Sequence, residues 1–138
     1  MPKTYVLAVY GTLKKGFRNH YFLEDSEFIE KGTTKEECIV LRHDNYREIN
    51  CNSNNQYEWI SKDSSFPVLI FKDNTGEAHQ PRKCVVELYK VRENVKKAID
   101  ILEGYPDMYD IKETEIITES GVSTNALIYH FPESKFEI

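Results

Sequence analysis

The sequence predicts an α+β fold, a strand-rich mixed barrel or curled sheet with one main helix packed on it. Several short segments rich in β-branched and aromatic residues are separated by glycine-containing or polar turns, as is typical of strands. Residues 95–102 instead have apolar side chains at i, i+3, i+4 and i+7, which indicates one amphipathic helix. A chain of 138 residues can bury a proper core, so we predict a single domain over residues 1–138.

The first strand is predicted at residues 5–10, a continuous apolar run that ends at Gly11. After a turn at Gly16, Asn19 is expected to cap a short helix that continues through residues 21–23. Further strands are predicted at 28–29 and 38–41 around a Lys31–Gly32 turn, at 66–71 before a turn at 73–76, at 85–91, and at 114–118 and 125–131 around a turn at 119–121.

The main helix is expected to stop at residue 103. Gly104 suits the left-handed conformation that follows many helices, and Pro106 prevents the helix from continuing. These signals place Glu103 in the last helical turn.

Residues 42–65 form a polar excursion that differs from the rest of the chain. Asparagine, serine and charged residues dominate it, and a long polar stretch inside a compact domain is usually a mobile or functional loop. A lid, a protruding hairpin and a disordered segment all remain open. We favour a partly ordered excursion held by Tyr57 and Trp59.

Composition excludes several classes of function. The net charge of −5 argues against nucleic acid and anionic membranes as partners. Three widely spaced cysteines favour a reducing, cytosolic setting, and four scattered histidines lack the spacing of a metal site. No nucleotide-binding glycine motif is present, so no nucleotide cofactor is expected. The apolar run at residues 5–10 is too short for a signal peptide or membrane span, so we expect a cytoplasmic protein that starts near Met1.

Glu103 is the candidate acid/base residue. Helical spacing puts it at the edge of the apolar stripe, where its carboxylate would be only partly solvated. Burial and the negative end of the helix dipole both raise the pKa of a carboxyl group. On the helix pattern alone, a solvated glutamate in the last turn is the more common outcome. Asp100 points further from the apolar face and is expected to be a surface residue or a structural hydrogen-bonding residue.

The candidate anion-binding loop follows the first strand at Tyr10, Gly11, Thr12 and Leu13. Consecutive backbone N–H groups just past a strand can bind a carboxylate or an oxyanion. Gly11 would allow a ligand to approach the backbone, and Thr12 could add a hydroxyl group. A glycine that simply marks the end of a strand is an equally plain explanation. Lys14, Lys15 and Arg18 form a local basic cluster that could steer a small anion, although such a cluster is more often only a solvated loop.

Together these stretches resemble the gamma-glutamylcyclotransferase-like, or AIG2-like, family, and within it most closely the gamma-glutamylamine cyclotransferases. The matching pieces run in the family's order over nearly the whole chain. They are residues 9–16 with Asn19, His20 and Leu23, then 66–70, 86–91, 99–104 and 106–109, and finally Ala126 and Tyr129.

The resemblance implies a small mixed β-barrel with flanking helices, and an enzyme that releases 5-oxoproline from gamma-glutamyl compounds without metal or cofactor. By this match Glu103 takes the catalytic acid/base position. The substrate-binding positions that the match implies are Tyr10, Gly11, Thr12, Leu13, Asn19, Tyr109 and Tyr129. Ile111 and Lys112 depart from the family pattern where an arginine is common, and the excursion is longer than in close relatives, so substrate choice stays open.

We consider two alternatives to an enzyme. The altered 111–112 region and the long excursion are compatible with a pocket that binds or senses a small metabolite without turnover. The excursion could also serve as an interaction module through Tyr57 and Trp59. The sequence does not indicate the oligomeric state.

Overall fold

A computed structural model of the chain describes residues 3–71 and 79–132. The predicted turn at 73–76 lies outside these ranges. The described part contains one α-helix, α1, Glu93–Glu103, and a single 3-10 turn at His20–Leu23. Its strands are β1, Thr4–Val9; β2, Glu27–Thr34; β3, Cys38–Arg42; β4, Pro67–Phe71; β5, Val85–Arg92; β6, Asp110–Thr118; and β7, Ser123–His130.

Five of the strands form a closed barrel in the order β1-β5-β2-β6-β7. The barrel closes through a parallel pairing of β1 with β7, whereas its other pairs are antiparallel. Strands β3 and β4 form a separate antiparallel pair beside it, joined to the end of β7 by the bond from Phe131 N–H to the Leu69 carbonyl, 2.7 Å. The predicted α+β mixed barrel is confirmed.

Strand β1 is buried on both faces, which explains its continuous apolar sequence. Leu7 and Val9 pack into a cluster that includes Ile99 of α1, while Ala8 and Tyr10 pack into a second cluster. Alternate side chains of a strand point to opposite faces, so a strand covered on both sides needs apolar residues throughout. The chain that leaves β1 at residue 10 therefore emerges from the interior of the protein.

The predicted turn at Lys31–Gly32 is wrong. Strand β2 runs straight through these residues, and Gly32 pairs with Val86 on one side and Thr118 on the other. A Cβ atom on Gly32 would lie 2.7 Å from the Ile117 carbonyl oxygen and 2.8 Å from Ile116 Cγ2. The glycine permits a close approach of β6 rather than a reversal of the chain.

We expect Gly32→Ala to destabilise the protein by about 1–3 kcal/mol, because the added methyl group has no room beside β6. Chemical denaturation would measure this as a lower midpoint with an unchanged slope. Lys31→Ala, at the exposed neighbouring position, is the control and should stay within about 0.5 kcal/mol. Equal stability of the two variants would contradict the packing seen at Gly32.

The helix ends as predicted, whereas the capping role predicted for Asn19 is wrong. Gly104 is left-handed at φ 66° and its N–H donates to the Ile101 carbonyl, 3.1 Å. Asn19 precedes the short 3-10 turn, but its side chain forms no capping bond to that turn. Its side-chain amide instead donates to Thr12 Oγ1, 2.9 Å, so a contact with the preceding loop replaces the local cap.

The 42–65 excursion is held by buried aromatic residues. Tyr57 is fully buried and Trp59 is 2% exposed, both in the second core cluster. The backbone of Tyr57 forms isolated β-bridges with Cys51, within the excursion, and with Cys84, next to β5. In the described ranges, no helix has the length and apolar character needed to cross a membrane.

Candidate active site

A cavity of about 350 Å³ opens where the end of β1, the start of β4 and the end of α1 meet. This volume lies at the lower end of the range for small-molecule sites, roughly 300–1,000 Å³. The structure brings together in its wall every site residue named from the sequence. These are Tyr10, Gly11, Thr12, Leu13, Asn19, Glu103, Tyr109 and Tyr129.

Helix α1 places Glu103 in the cavity wall. Ile99 is the fully buried residue of the helix, and Glu103 lies one turn further along the same face. Loss of solvent raises the pKa of the Glu103 carboxyl to about 7. Within residues 3–71 and 79–132, no side chain or backbone group forms a hydrogen bond or ion pair with this carboxyl. Glu103 is therefore available to exchange a proton near neutral pH.

Three tyrosines of the wall have their hydroxyl groups engaged elsewhere. Tyr10 donates to the Tyr129 carbonyl, 2.7 Å, and Tyr109 to the Pro67 carbonyl, 3.0 Å. The Tyr129 hydroxyl donates to the Asp100 carboxylate, which also accepts bonds from Lys96 at 2.9 and 3.3 Å. Asp100 thus has the structural role expected from its position.

These tyrosines are not proton acceptors at neutral pH. Burial raises the pKa of Tyr10, Tyr109 and Tyr129, and the nearby Glu103 carboxylate raises each pKa further. All three phenols therefore stay protonated under conditions in which Glu103 titrates. They line the cavity, whereas the pKa of the Glu103 carboxyl lies near neutrality.

The loop after β1 lines the cavity and contains backbone N–H groups without acceptors among the described residues. A tight turn is closed by the Lys14 N–H, which donates to the Gly11 carbonyl, 3.1 Å. The N–H groups of Gly11, Thr12 and Leu13 donate to no acceptor in the described part of the chain. Three consecutive free N–H groups beside a cavity match the donor set that binds a carboxylate or an oxyanion.

Two contacts from the following segment fix this loop. The Asn19 N–H donates to the Thr12 carbonyl, 2.9 Å, in addition to its side-chain bond to the Thr12 hydroxyl. His20 Nδ1 lies 2.9 Å from the Leu13 carbonyl oxygen and donates to it, because that oxygen can only accept. The loop is thus held in position before any ligand binds.

Gly11 is also fixed against strand β4. A Cβ atom at this position would lie 2.6 Å from Pro67 Cγ and 2.9 Å from Pro67 Cδ. The Pro67 ring is rigid and belongs to a buried strand, so it cannot easily move away. Gly11 is therefore required for the approach of the loop to the cavity wall.

Seven further wall residues were not predicted from the sequence as part of the site. They are Ala8, Val9, Arg18, Phe66, Pro67, Leu102 and Met108. Arg18 was visible only as a member of the basic cluster with Lys14 and Lys15. In the structure Lys14 is buried instead of solvated, its ammonium donates to the Trp59 carbonyl, 2.7 Å, and burial lowers its pKa.

The two positions that depart from the family pattern lie away from the cavity. Ile111 pairs with Tyr129 across β6 and β7 and packs against the first core cluster. Lys112 forms an ion pair with Glu36, 3.0 Å, and lies over the Phe71 ring. Neither side chain is part of the cavity wall.

The described residues contain no group of three or more histidine, cysteine, aspartate or glutamate side chains that could hold a metal ion. The chemistry that can be assigned to the site from its own residues rests on one carboxyl and a row of backbone donors. Fold and site together define a small barrel protein whose cavity is lined by a carboxyl group with a pKa of about 7 and by a loop with backbone N–H groups that are unpartnered in the described ranges.

Comparison with known proteins identifies the family. The model of the family described as "Gamma-glutamyl cyclotransferase, AIG2-like" matches residues 7–137, and the chain belongs to this family. Two relatives carry the name "Putative gamma-glutamylcyclotransferase". The one from Methanocaldococcus jannaschii is 37% identical over 127 residues, which cover 91% of this chain and 83% of the relative. The one from Drosophila melanogaster is 27% identical over 133 residues, which cover 91% and 70%.

A solved structure has the same fold. The crystal structure of an AIG2-like protein from Mus musculus superposes with a TM-score of 0.63, at 23% identity, over 98% of this chain and 84% of that chain. At this identity the likeness establishes the fold alone.

Proposed function

We propose that the protein is a gamma-glutamylcyclotransferase, which converts a gamma-glutamyl compound into 5-oxoproline and a free amine by intramolecular aminolysis. The observation that carries this proposal is the convergence of Glu103 and the free N–H groups of residues 11–13 on one cavity. Family membership supports the class of reaction. No metal or cofactor is required by the steps below.

Binding begins at the loop. The N–H groups of Gly11, Thr12 and Leu13 hold an anionic oxygen of the substrate, either its α-carboxylate or the oxyanion that develops on the side-chain carbonyl. Apolar side chains such as Phe66, Leu102 and Met108 line the rest of the cavity and would contact the folded substrate.

Glu103 then accepts a proton from the substrate's α-ammonium group. A free α-amino group has a pKa of roughly 8, so transfer to a carboxylate with a pKa of about 7 costs little. The amine nitrogen attacks the side-chain carbonyl carbon, and a five-membered lactam forms. Protonated Glu103 gives its proton to the departing nitrogen as the C–N bond breaks. The ring nitrogen then releases its second excess proton to Glu103, which passes it to the freed amine, so that the amine leaves as an ammonium ion. The carboxylate is thereby regenerated.

This reaction needs no nucleophilic side chain, because nucleophile and electrophile belong to the same molecule. Holding the substrate in the folded conformation supplies much of the rate acceleration. The cavity contributes the shape, the loop contributes the charge stabilisation, and Glu103 contributes the proton transfer.

To test the proposal, purified protein would be incubated with gamma-glutamyl amines, gamma-glutamyl-ε-lysine and gamma-glutamyl amino acids, and 5-oxoproline would be measured by liquid chromatography. Release of 5-oxoproline with an equal amount of free amine is the expected result. Tight binding of these compounds without product would instead show a non-catalytic binding protein.

The pH dependence of kcat/KM should report the titration of Glu103. Because the carboxyl must be ionised to accept a proton and its pKa is about 7, kcat/KM should increase as pH rises through about 7. Stopped assays between pH 5 and 8 on one gamma-glutamyl substrate would measure this increase in kcat/KM. An activity that is already at its plateau at pH 5.5 would contradict the assignment of Glu103 as the base.

A further inference from the structure

The cavity wall carries only two charged side chains among the described residues, Glu103 at the end of α1 and Arg18 in the loop after β1. Glu103 serves the proton transfer proposed above. Arg18 is exposed, and no carboxylate in the described ranges forms an ion pair with it. A guanidinium group without a counter-ion at the edge of a small cavity favours an anionic group on the ligand.

The geometry of Arg18 is suited to a carboxylate. Both hydrogen bonds of its guanidinium come from Nη1, which donates to the Asp63 and Ser65 carbonyls at 3.0 Å each. The Nε and Nη2 groups have no acceptor in the part of the chain that the structure describes. These two groups form one edge of the guanidinium plane, and such an edge binds a carboxylate through two parallel hydrogen bonds.

The polar excursion holds Arg18 in this arrangement. Besides the two carbonyls at residues 63 and 65, the excursion provides Lys62, whose ammonium donates to the Gly16 carbonyl, 2.5 Å, and lies over the Phe17 ring. The loop in turn contributes Lys14, which donates to the Trp59 carbonyl. Four hydrogen bonds donated by positively charged side chains thus join residues 14–18 to residues 59–65.

The excursion also keeps the carboxylate of Asp63 away from Arg18. The side chain of Asp63 forms an ion pair with Arg42, 2.7 Å, while only the Asp63 backbone carbonyl contacts Arg18. The positive charge of Arg18 is therefore oriented but not neutralised. A guanidinium that is fixed before binding loses little side-chain entropy when it binds an anion.

We propose that Arg18 determines substrate choice by binding a carboxylate on the departing amine, so that the preferred substrates are gamma-glutamyl amino acids rather than neutral gamma-glutamyl alkylamines. This inference rests on the proposed cyclotransferase function. The loop N–H groups hold the anionic oxygen of the glutamyl part, and Arg18 holds the carboxylate of the part that leaves. The excursion is the element that makes this second contact possible.

The test compares two substrates that differ in one charge, gamma-glutamyl-alanine and gamma-glutamyl-alaninamide. We expect the wild-type protein to prefer the free carboxylate by about tenfold in kcat/KM at low salt, as one charge-assisted pair provides. In Arg18→Gln the ratio of the two kcat/KM values should fall toward one. Arg18→Lys retains the positive charge but cannot form two parallel hydrogen bonds to a carboxylate. It should keep part of the preference for the substrate with a free carboxylate.

Lys15→Gln is the matched control, because it removes one positive charge from an exposed position in the same loop that is not in the cavity wall. Its substrate ratio should equal that of the wild type. An Arg18→Gln ratio equal to the wild-type ratio would overturn the inference. So would an equal loss on both substrates, which would place Arg18 on the shared glutamyl part.

Failure of the inference can be told apart from failure of the proposed function. A wild-type protein that releases 5-oxoproline from both substrates at equal rates, or faster from the amide, is a cyclotransferase without the proposed preference. A wild-type protein that releases 5-oxoproline from neither substrate, nor from the wider panel above, contradicts the enzyme assignment itself and the inference with it.

Discussion

Replacing Glu103 by Gln should lower the rate of 5-oxoproline release by about 10²–10⁴-fold, the range that one general acid/base residue contributes. Glutamine has nearly the same shape, but its amide cannot accept the α-ammonium proton near neutral pH. Because three neighbouring tyrosines stay protonated, no other described wall residue can replace Glu103 as the base. Single-turnover assays on one gamma-glutamyl substrate would measure the loss.

The Glu103→Gln variant should fold at least as well as the wild type at pH 8. The folded-state pKa of Glu103 is about 7, above the ordinary value of 4.5, so the folded protein binds more protons than the unfolded chain between these values. The stability of the wild type therefore falls as pH rises from about 4.5 to 7, and the variant lacks this contribution. Denaturation at pH 5 and pH 8 would show the difference.

Glu93→Gln is the matched control for this change. Glu93 is the first residue of the same helix and pairs with Lys97 at the surface. Its activity should stay close to that of the wild type. Retained turnover in Glu103→Gln, or an equal loss in both variants, would remove Glu103 from the mechanism.

Replacing Gly11 by Ala should lower kcat/KM by about 10²-fold, the effect that a displacement of 1 Å in a positioning group can have. The new Cβ atom would lie 2.6 Å from Pro67 Cγ, so the loop has to move away from β4. The three free N–H groups then no longer match the position of the substrate anion. Steady-state assays with a thermal melt of the variant would separate this loss from a loss of folding.

The double variant Gly11→Ala, Pro67→Ala tests the cause of that loss. Pro67→Ala removes the ring atoms that the new methyl group would meet, and it keeps the backbone carbonyl that accepts the Tyr109 hydroxyl. The double variant should therefore recover activity relative to Gly11→Ala. Losses that simply add in the double variant would show that the contact between Gly11 and Pro67 is not what positions the loop.

Local patterns in the sequence were enough to predict much of the fold. The unbroken apolar run before Gly11 indicates a strand covered on both faces, and the spacing of residues 95–102 indicates the helix. The Gly104 cap is likewise a property of a few neighbouring residues, and it is confirmed by the left-handed backbone at that position. Each of these signals lies within one turn or one strand.

The errors arose where a distant contact decides the structure. Gly32 has the sequence signature of a turn, yet its role is to admit residues 116–118 of β6, which lie more than 80 residues further along the chain. Asn19 has the signature of a helix cap, yet its amide is taken by Thr12. Periodicity and turn propensity cannot report such contacts, because they describe neighbours along the chain only.

In the candidate site too, local sequence patterns predicted some features, and contacts between distant residues determine the others. Helical spacing predicted that Glu103 lies at the edge of the apolar stripe. The structure adds that Ile99, one turn earlier, is buried and that Glu103 lines the cavity. The orientation of Arg18 depends on two carbonyls about 45 residues further along the chain. Its sequence neighbourhood indicated a basic cluster and nothing about which of the three cations would reach the cavity.

The most direct test of the proposed cyclisation is mass spectrometry of the products formed in water enriched in ¹⁸O. Attack by the substrate's own α-amine gives 5-oxoproline that contains no ¹⁸O, together with one equivalent of free amine, and this is the result we expect. Glutamate that carries ¹⁸O in its side-chain carboxylate would show attack by water instead and would contradict the account.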